Sequence, residues 1–126
     1  MSKTVDLELK KAFKELQQKM LETTQQLKVA DARIEVLKQG MRHTQLTGKE
    51  LSSMPPDTKM YQGVGRMFVL TDVNEIKTSL DKKHESYSQK IKQLENNKMY
   101  LERNLKDSEN NLREMIQQRK EAGDTN

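Results

Sequence analysis

His43 and His84, the closely spaced Gly63 and Gly65, and a cluster of lysines are the residues of this chain whose types could do chemistry. The histidines could ligate a metal, but neither has a second histidine or an acidic cluster at ligand spacing. His84 reads better as a residue of a helix seam with a local partner. Gly63-Val64-Gly65 begins like a phosphate-cradling loop, yet lacks the third glycine and the following helix of a dinucleotide site. Carboxylates are plentiful, but on a solvated surface no pocket tunes them for acid–base work. With no cysteine there is no thiolate nucleophile, disulfide or Cys-ligated zinc. Lys10, Lys11 and Lys14 make the most basic spot, diluted by Glu8 and Glu15. No catalytic residue, metal site or cofactor is expected, and enzyme activity is not.

The elements that carry these residues are set by hydropathy. In a first segment Leu9, Phe13, Leu16, Met20, Thr23, Leu27, Ala30, Ile34, Leu37 and Met41 step alternately by four and three. In a second, Leu80, His84, Tyr87, Ile91, Leu94, Lys98, Leu101, Leu105, Ser108, Leu112 and Met115 do the same. A sustained 3.5-residue repeat keeps one face of a helix against a partner as the pair supercoils. The polar seam positions Thr23, Lys98 and Ser108 would fix register or loosen the pair.

Composition agrees. The 126 residues are 33% hydrophobic and 33% charged, against roughly 45–50% and about 25% in ordinary globular domains. Such a chain can bury a narrow seam but not a broad core. The net charge of +4 is spread thinly: nine basic and six acidic residues from Lys3 to Arg42, eleven and ten from Asp72 to Glu121. Interleaving such as Glu95, Lys98, Glu102 and Lys106 supplies pairs worth a few tenths of a kcal/mol each. A solvated face is the better reading than a phosphate-binding one, and no nucleic-acid partner is expected. No stretch approaches the ~18 apolar residues of a membrane span, and the N-terminus has no apolar signal core. A soluble intracellular protein is expected.

The repeats predict a helix over 5–42 and a second over 72–120, with a tail at 121–126. Thr71 or Asp72 would cap the second, and Glu75 sits where a capping partner belongs. At 1.5 Å per residue the first helix is about 55 Å long. Gly40, Met41, Arg42 and His43 suit a fraying helix exit. The connector at 43–58 carries Thr47-Gly48-Lys49-Glu50, a capping-box pattern for one or two further helical turns, and then Pro55-Pro56-Asp57. A β-hairpin at 59–71 follows, with strands at about 59–64 and 66–71 around a Gly65-Arg66 turn. The simplest outcome is one domain over 1–126: mainly α, a long antiparallel two-helix coiled coil with a single hairpin between the helices.

An isolated two-stranded hairpin is marginal in water. Here Met60, Tyr61, Val64, Met67, Phe68, Val69 and Leu70, organised by Gly65, leave apolar residues on both faces, and both edges are open. A single copy holds no third element to cover them. The hairpin is therefore expected to be an assembly site, where hairpins of several subunits build a shared sheet or barrel.

Helix, hairpin, helix in this order resembles the subunits of the prefoldin family, and one hairpin rather than two resembles its β class. The residues that carry the resemblance are Val5-Asp6-Leu7-Glu8-Leu9-Lys10-Lys11-Ala12-Phe13, the hairpin string Met60-Tyr61-Gln62-Gly63-Val64-Gly65-Arg66-Met67-Phe68, Tyr100-Leu101-Glu102-Arg103 and Asn111-Leu112-Arg113-Glu114-Met115. The resemblance implies an ATP-independent cytoplasmic co-chaperone in which two α-class and four β-class subunits form a hexamer on a β-barrel platform. Its coiled-coil tips would hold unfolded actin and tubulin for transfer to the cytosolic chaperonin. The tip residues would be Leu7, Leu9, Ala12 and Phe13 from one helix and Leu112, Met115 and Ile116 from the other. Fraying helix ends leave such residues partly exposed, and methionine suits a promiscuous site. Leu9 and Leu112 fit equally well as the last layers of the seam, whereas Ile116, one residue off its register, leans toward exposure. The alternative function is a coiled-coil scaffold or tether with no client. A basic zipper is disfavoured because no continuous basic stretch precedes the heptads.

Overall fold

Two 52-residue helices, α1 (Ser2–Ser53) and α2 (Val73–Asp124), flank two five-residue strands, β1 (Met60–Val64) and β2 (Met67–Thr71). The computed structural model describes the backbone of residues 2–124 and the side chains of 7–123. The mainly α architecture, with one antiparallel hairpin between two long helices, is the one the heptads and the strand formers dictate.

α1 is longer than expected. It does not stop near Arg42 to be followed by a separate short helix within 43–58, but continues unbroken to Ser53. The four-three step explains why: beyond Met41 it falls on Thr44, Gly48 and Leu51, and Thr44 is buried. The hydroxyl groups join the helix instead of capping a new one. Thr44 Oγ1 donates to the Met41 carbonyl at 2.7 Å, and Thr47 Oγ1 donates to the His43 carbonyl at 2.8 Å. The Thr47–Glu50 pair is thus interior helix, where a threonine bonds back to the preceding turn. The terminator is Pro55, which disfavours the α conformation at Met54. A turn closed by Thr58 N–H donating to the Pro55 carbonyl (3.1 Å) leads into β1.

The hairpin pairs Met60 with Thr71, Tyr61 with Leu70, Gln62 with Val69, Gly63 with Phe68 and Val64 with Met67. Gly65 has φ of 61°, and no other described residue has a positive φ. A positive φ at the first central position alone is the pattern of a type II′ turn, whose twist matches that of the strands it joins.

α2 begins directly after Asp72, whose carbonyl accepts the Ile76 N–H at 3.1 Å. It passes the expected stop at Lys120 and runs to Asp124. Glu121 and Ala122 are good helix formers, and Gly123 comes too late to end the helix sooner. Of the expected tail, Thr125 and Asn126 lie outside the described residues.

The chain forms two compact units. One pairs the residues up to Asp31 with those from Glu95 onward. Its helices run antiparallel, as Glu8–Arg119 (3.5 Å), Lys19–Ser108 (2.7 Å) and Asp31–Lys98 show, and it buries Thr23, Ala30 and Leu112. The other spans 32–94 and holds the hairpin. It buries Ile34, Thr44, Met60 and Ile91, with Gln45 opposite His84 at 3.2 Å. Both cores are narrow, and among the described residues no large side chain is completely buried.

Candidate functional site

Two surfaces bear on function, and the hairpin is the more conspicuous. Alternation along a strand puts directly paired residues on the same face. Tyr61, Leu70, Gly63 and Phe68 therefore share one face, and Met60, Thr71, Gln62, Val69, Val64 and Met67 share the other. Of the apolar hairpin residues singled out from the sequence, Met60 is buried, whereas Tyr61, Val64, Met67, Phe68, Val69 and Leu70 are all exposed. Phe68 is 77% exposed. A Cβ at Gly63 would stand 3.8 Å from Phe68 Cε1, so the ring lies across bare glycine backbone.

Among the described residues β1 and β2 form a two-stranded sheet, with the outer edge of each strand unpaired. Covering six such side chains would yield on the order of 10 kcal/mol before association costs, at roughly 1.5–3 kcal/mol each. An apolar surface of this kind on a small chain marks an interface, and its open edges add hydrogen-bonding capacity for another strand.

The second surface belongs to the unit that contains both chain ends. Ala12 and Met115 are half-buried and Leu112 is buried. These three line one groove with Glu15, Leu16, Lys19, Ser108 and Asn111. Leu112 is thus a seam residue, packed between the helices of its own chain. Ile116 is half-buried, which corrects the expectation of exposure: a residue next to the seam register still packs against its margin. Leu9 is half-buried as well. Leu7 and Phe13, by contrast, are exposed, and both line a groove on α1 together with Lys10, Lys11, Lys14 and Gln17.

The polar seam positions Lys98, Ser108 and His84 find cross-helix partners that the sequence did not announce. Lys98 pairs with Asp31, and that hydrogen bond, with the surrounding Asp31, Glu102 and Glu95 charges, holds its ammonium above the usual lysine range. Ser108 Oγ accepts from Lys19 Nζ and donates to the Asn104 carbonyl at 3.0 Å. His84 faces Gln45. Knowing which residues face one another requires the antiparallel register, and that depends on where α1 ends. Among the described residues there is no group of three potential metal ligands and no helix long and apolar enough to cross a membrane. The arrangement is suited to binding and assembly.

Comparison with known proteins gives one consistent result. The family profile described as "Prefoldin subunit" matches residues 14–119. The chain is 49% identical over 120 residues to a protein named prefoldin subunit 1 from Danio rerio, spanning 95% of this chain and 98% of the relative. It is 47% identical over the same length to prefoldin subunit 1 from Homo sapiens, with the same coverage. Among solved structures it superposes on the prefoldin β subunit from Thermococcus strain KS-1 with a TM-score of 0.71. That match has 20% identity and covers 85% of this chain and 90% of that one, so it is a likeness of fold.

Proposed function

The chain belongs to the prefoldin subunit family of co-chaperones, and on that premise we propose that it is a β-class subunit which assembles through its hairpin and captures unfolded polypeptides with the unit that lacks it. Prefoldin subunits form oligomers with one another and are not enzymes. The finer reading is a hexamer of two α-class and four β-class subunits built on a shared β-barrel. It works without ATP in the cytoplasm, holding actin- and tubulin-like chains for the cytosolic chaperonin.

The observation that carries this reading is the hairpin with both faces apolar and both edges open. That surface is satisfied by strands from other subunits. Assembly in turn places several copies of the capture unit on one particle. Nearest the chain ends each copy offers, among the described residues, Leu7 and Phe13 as exposed large apolar side chains, so each binds weakly. Several acting together gain affinity through effective concentration.

A specific observation keeps a tether in view as the second reading: Leu112 is consumed by the seam, and Met115 and Ile116 are half consumed. The two readings separate when the assembled complex is mixed with actin diluted from denaturant and light scattering is followed. Suppressed aggregation supports capture. Unchanged aggregation with the complex intact supports the tether.

A further inference from the structure

Leu7, Lys14 and Leu21 recur every seven residues, as Leu9, Leu16 and Thr23 do on the seam. They lie two residues out of phase, which turns them about 200° around the helix. They therefore line the side of α1 opposite the one that α2 covers, and Leu7 and Leu21 are 64% and 70% exposed. Between them Lys10, Lys11 and Lys14 project with Gln17, and Phe13 borders the same groove. None of the three lysines is ion-paired among the described residues, whereas the neighbouring Glu8 is engaged by Arg119 at 3.5 Å. The other acids along this stretch of the sequence are Asp6, Glu15 and Glu22. The outer face is thus a strip of apolar anchors interleaved with ammonium groups that no described carboxylate occupies.

Resting on the capture reading above, we propose that this face of α1 is a docking strip for acidic polypeptide segments that also carry apolar residues, so that the subunit selects non-native chains by charge as well as by hydropathy. Charge complementarity identifies the occupant. Leu7 and Phe13 take apolar side chains, and the lysines take Asp or Glu at neighbouring positions, which favours encounter and orientation. An anionic membrane suits the strip less well, because Lys14 falls between Leu7 and Leu21 where an interfacial helix would present a continuous apolar face.

The test uses the assembled complex and three labelled unstructured peptides of equal apolar content, one acidic, one neutral and one basic, with binding read by fluorescence anisotropy. The acidic peptide should bind about tenfold tighter than the neutral one, as expected for three exposed ion pairs that are only partly realised. The preference should collapse near 1 M salt, where the screening length falls to about 3 Å. Lys10→Glu/Lys11→Glu/Lys14→Glu should reverse the order of the acidic and basic peptides and leave the neutral one within about twofold, with helicity by circular dichroism unchanged. Lys→Gln at the same positions should merely equalise them. Equal binding of all three peptides by the wild-type complex overturns the charge selection and leaves capture standing. Binding of none overturns both. Retention of vesicles of anionic phospholipid, lost on charge reversal, with no preference among peptides, overturns the polypeptide assignment in favour of a membrane surface.

Discussion

Gly40→Ala gives a sharp test of the packing, because helix propensity and packing predict opposite signs. In the interior of a helix, alanine is more favourable than glycine by about 1 kcal/mol, and position 40 lies well inside α1. Yet a Cβ built there would stand 2.8 Å from Tyr87 Cζ and 3.1 Å from both Cε atoms, against about 3.5–4.0 Å for carbons in good contact. The tip of the tyrosine ring rests on the bare backbone of α1. To admit a methyl group the ring must withdraw from the seam or the helices must part, and overpacking of this kind costs roughly 1–3 kcal/mol.

The net effect of Gly40→Ala alone is therefore a destabilisation of up to about 2 kcal/mol. In a Tyr87→Leu background the obstructing ring is gone, and the same substitution should stabilise by about 1 kcal/mol. The double-mutant cycle should return a coupling of roughly 1–3 kcal/mol between positions 40 and 87. Urea unfolding followed by circular dichroism measures all four corners, at one fixed subunit concentration because assembly would shift the apparent stability. If Gly40→Ala stabilises by a similar amount in both backgrounds, Tyr87 does not rest on Gly40 and the reasoning fails.

Other perturbations probe other parts of the molecule. Val64→Asp with Phe68→Asp should leave helicity intact and eliminate the oligomer. Size-exclusion chromatography reads this directly, and a full-sized complex would show that the hairpin is not the assembly surface. Leu112→Ala removes a buried seam residue and should cost about 2–3 kcal/mol, the lower part of the range for Leu→Ala because so thin a seam relaxes readily; chemical denaturation checks it. The Lys98–Asp31 pair predicts a pH dependence. The folded state holds the lysine above its ordinary value of 10.5. The stabilisation is therefore fully present below that pH and is lost as the pH rises through the higher folded value. Thermal melts should show this alkaline loss in the wild type and less of it in Asp31→Asn.

Most of the architecture was legible because it rests on periodicity. The four-three step of apolar residues fixed both helices, and the switch to Tyr61, Val64, Phe68 and Val69 around Gly65 marked the strands and their turn. The end of α1 was misread for the same reason that the rest was read well. Thr44 and Gly48 continue the step without looking apolar, and Gly40 resembled a helix exit when it is a point of close approach to Tyr87. Proline, not glycine, ended the helix. The partners of the polar seam residues were beyond reach, since Asp31, Lys19 and Gln45 become neighbours of Lys98, Ser108 and His84 through the register alone. Among the residues assigned to capture, sequence could not separate Leu7 and Phe13, which stay exposed, from Leu112, which the seam absorbs. They share the same apolar chemistry: Leu7 lies off the seam register, whereas Phe13 is a seam position that still stays 43% exposed.

The central claim is that the exposed apolar residues near the start of α1 hold non-native chains while the hairpin holds the complex together. Leu7→Ser/Phe13→Ser, introduced into an otherwise complete oligomer, tests it most directly through the light scattering of actin diluted from denaturant. The account predicts a complex of unchanged size whose suppression of aggregation is markedly weakened. An intact complex that suppresses aggregation as fully as the wild type would contradict it.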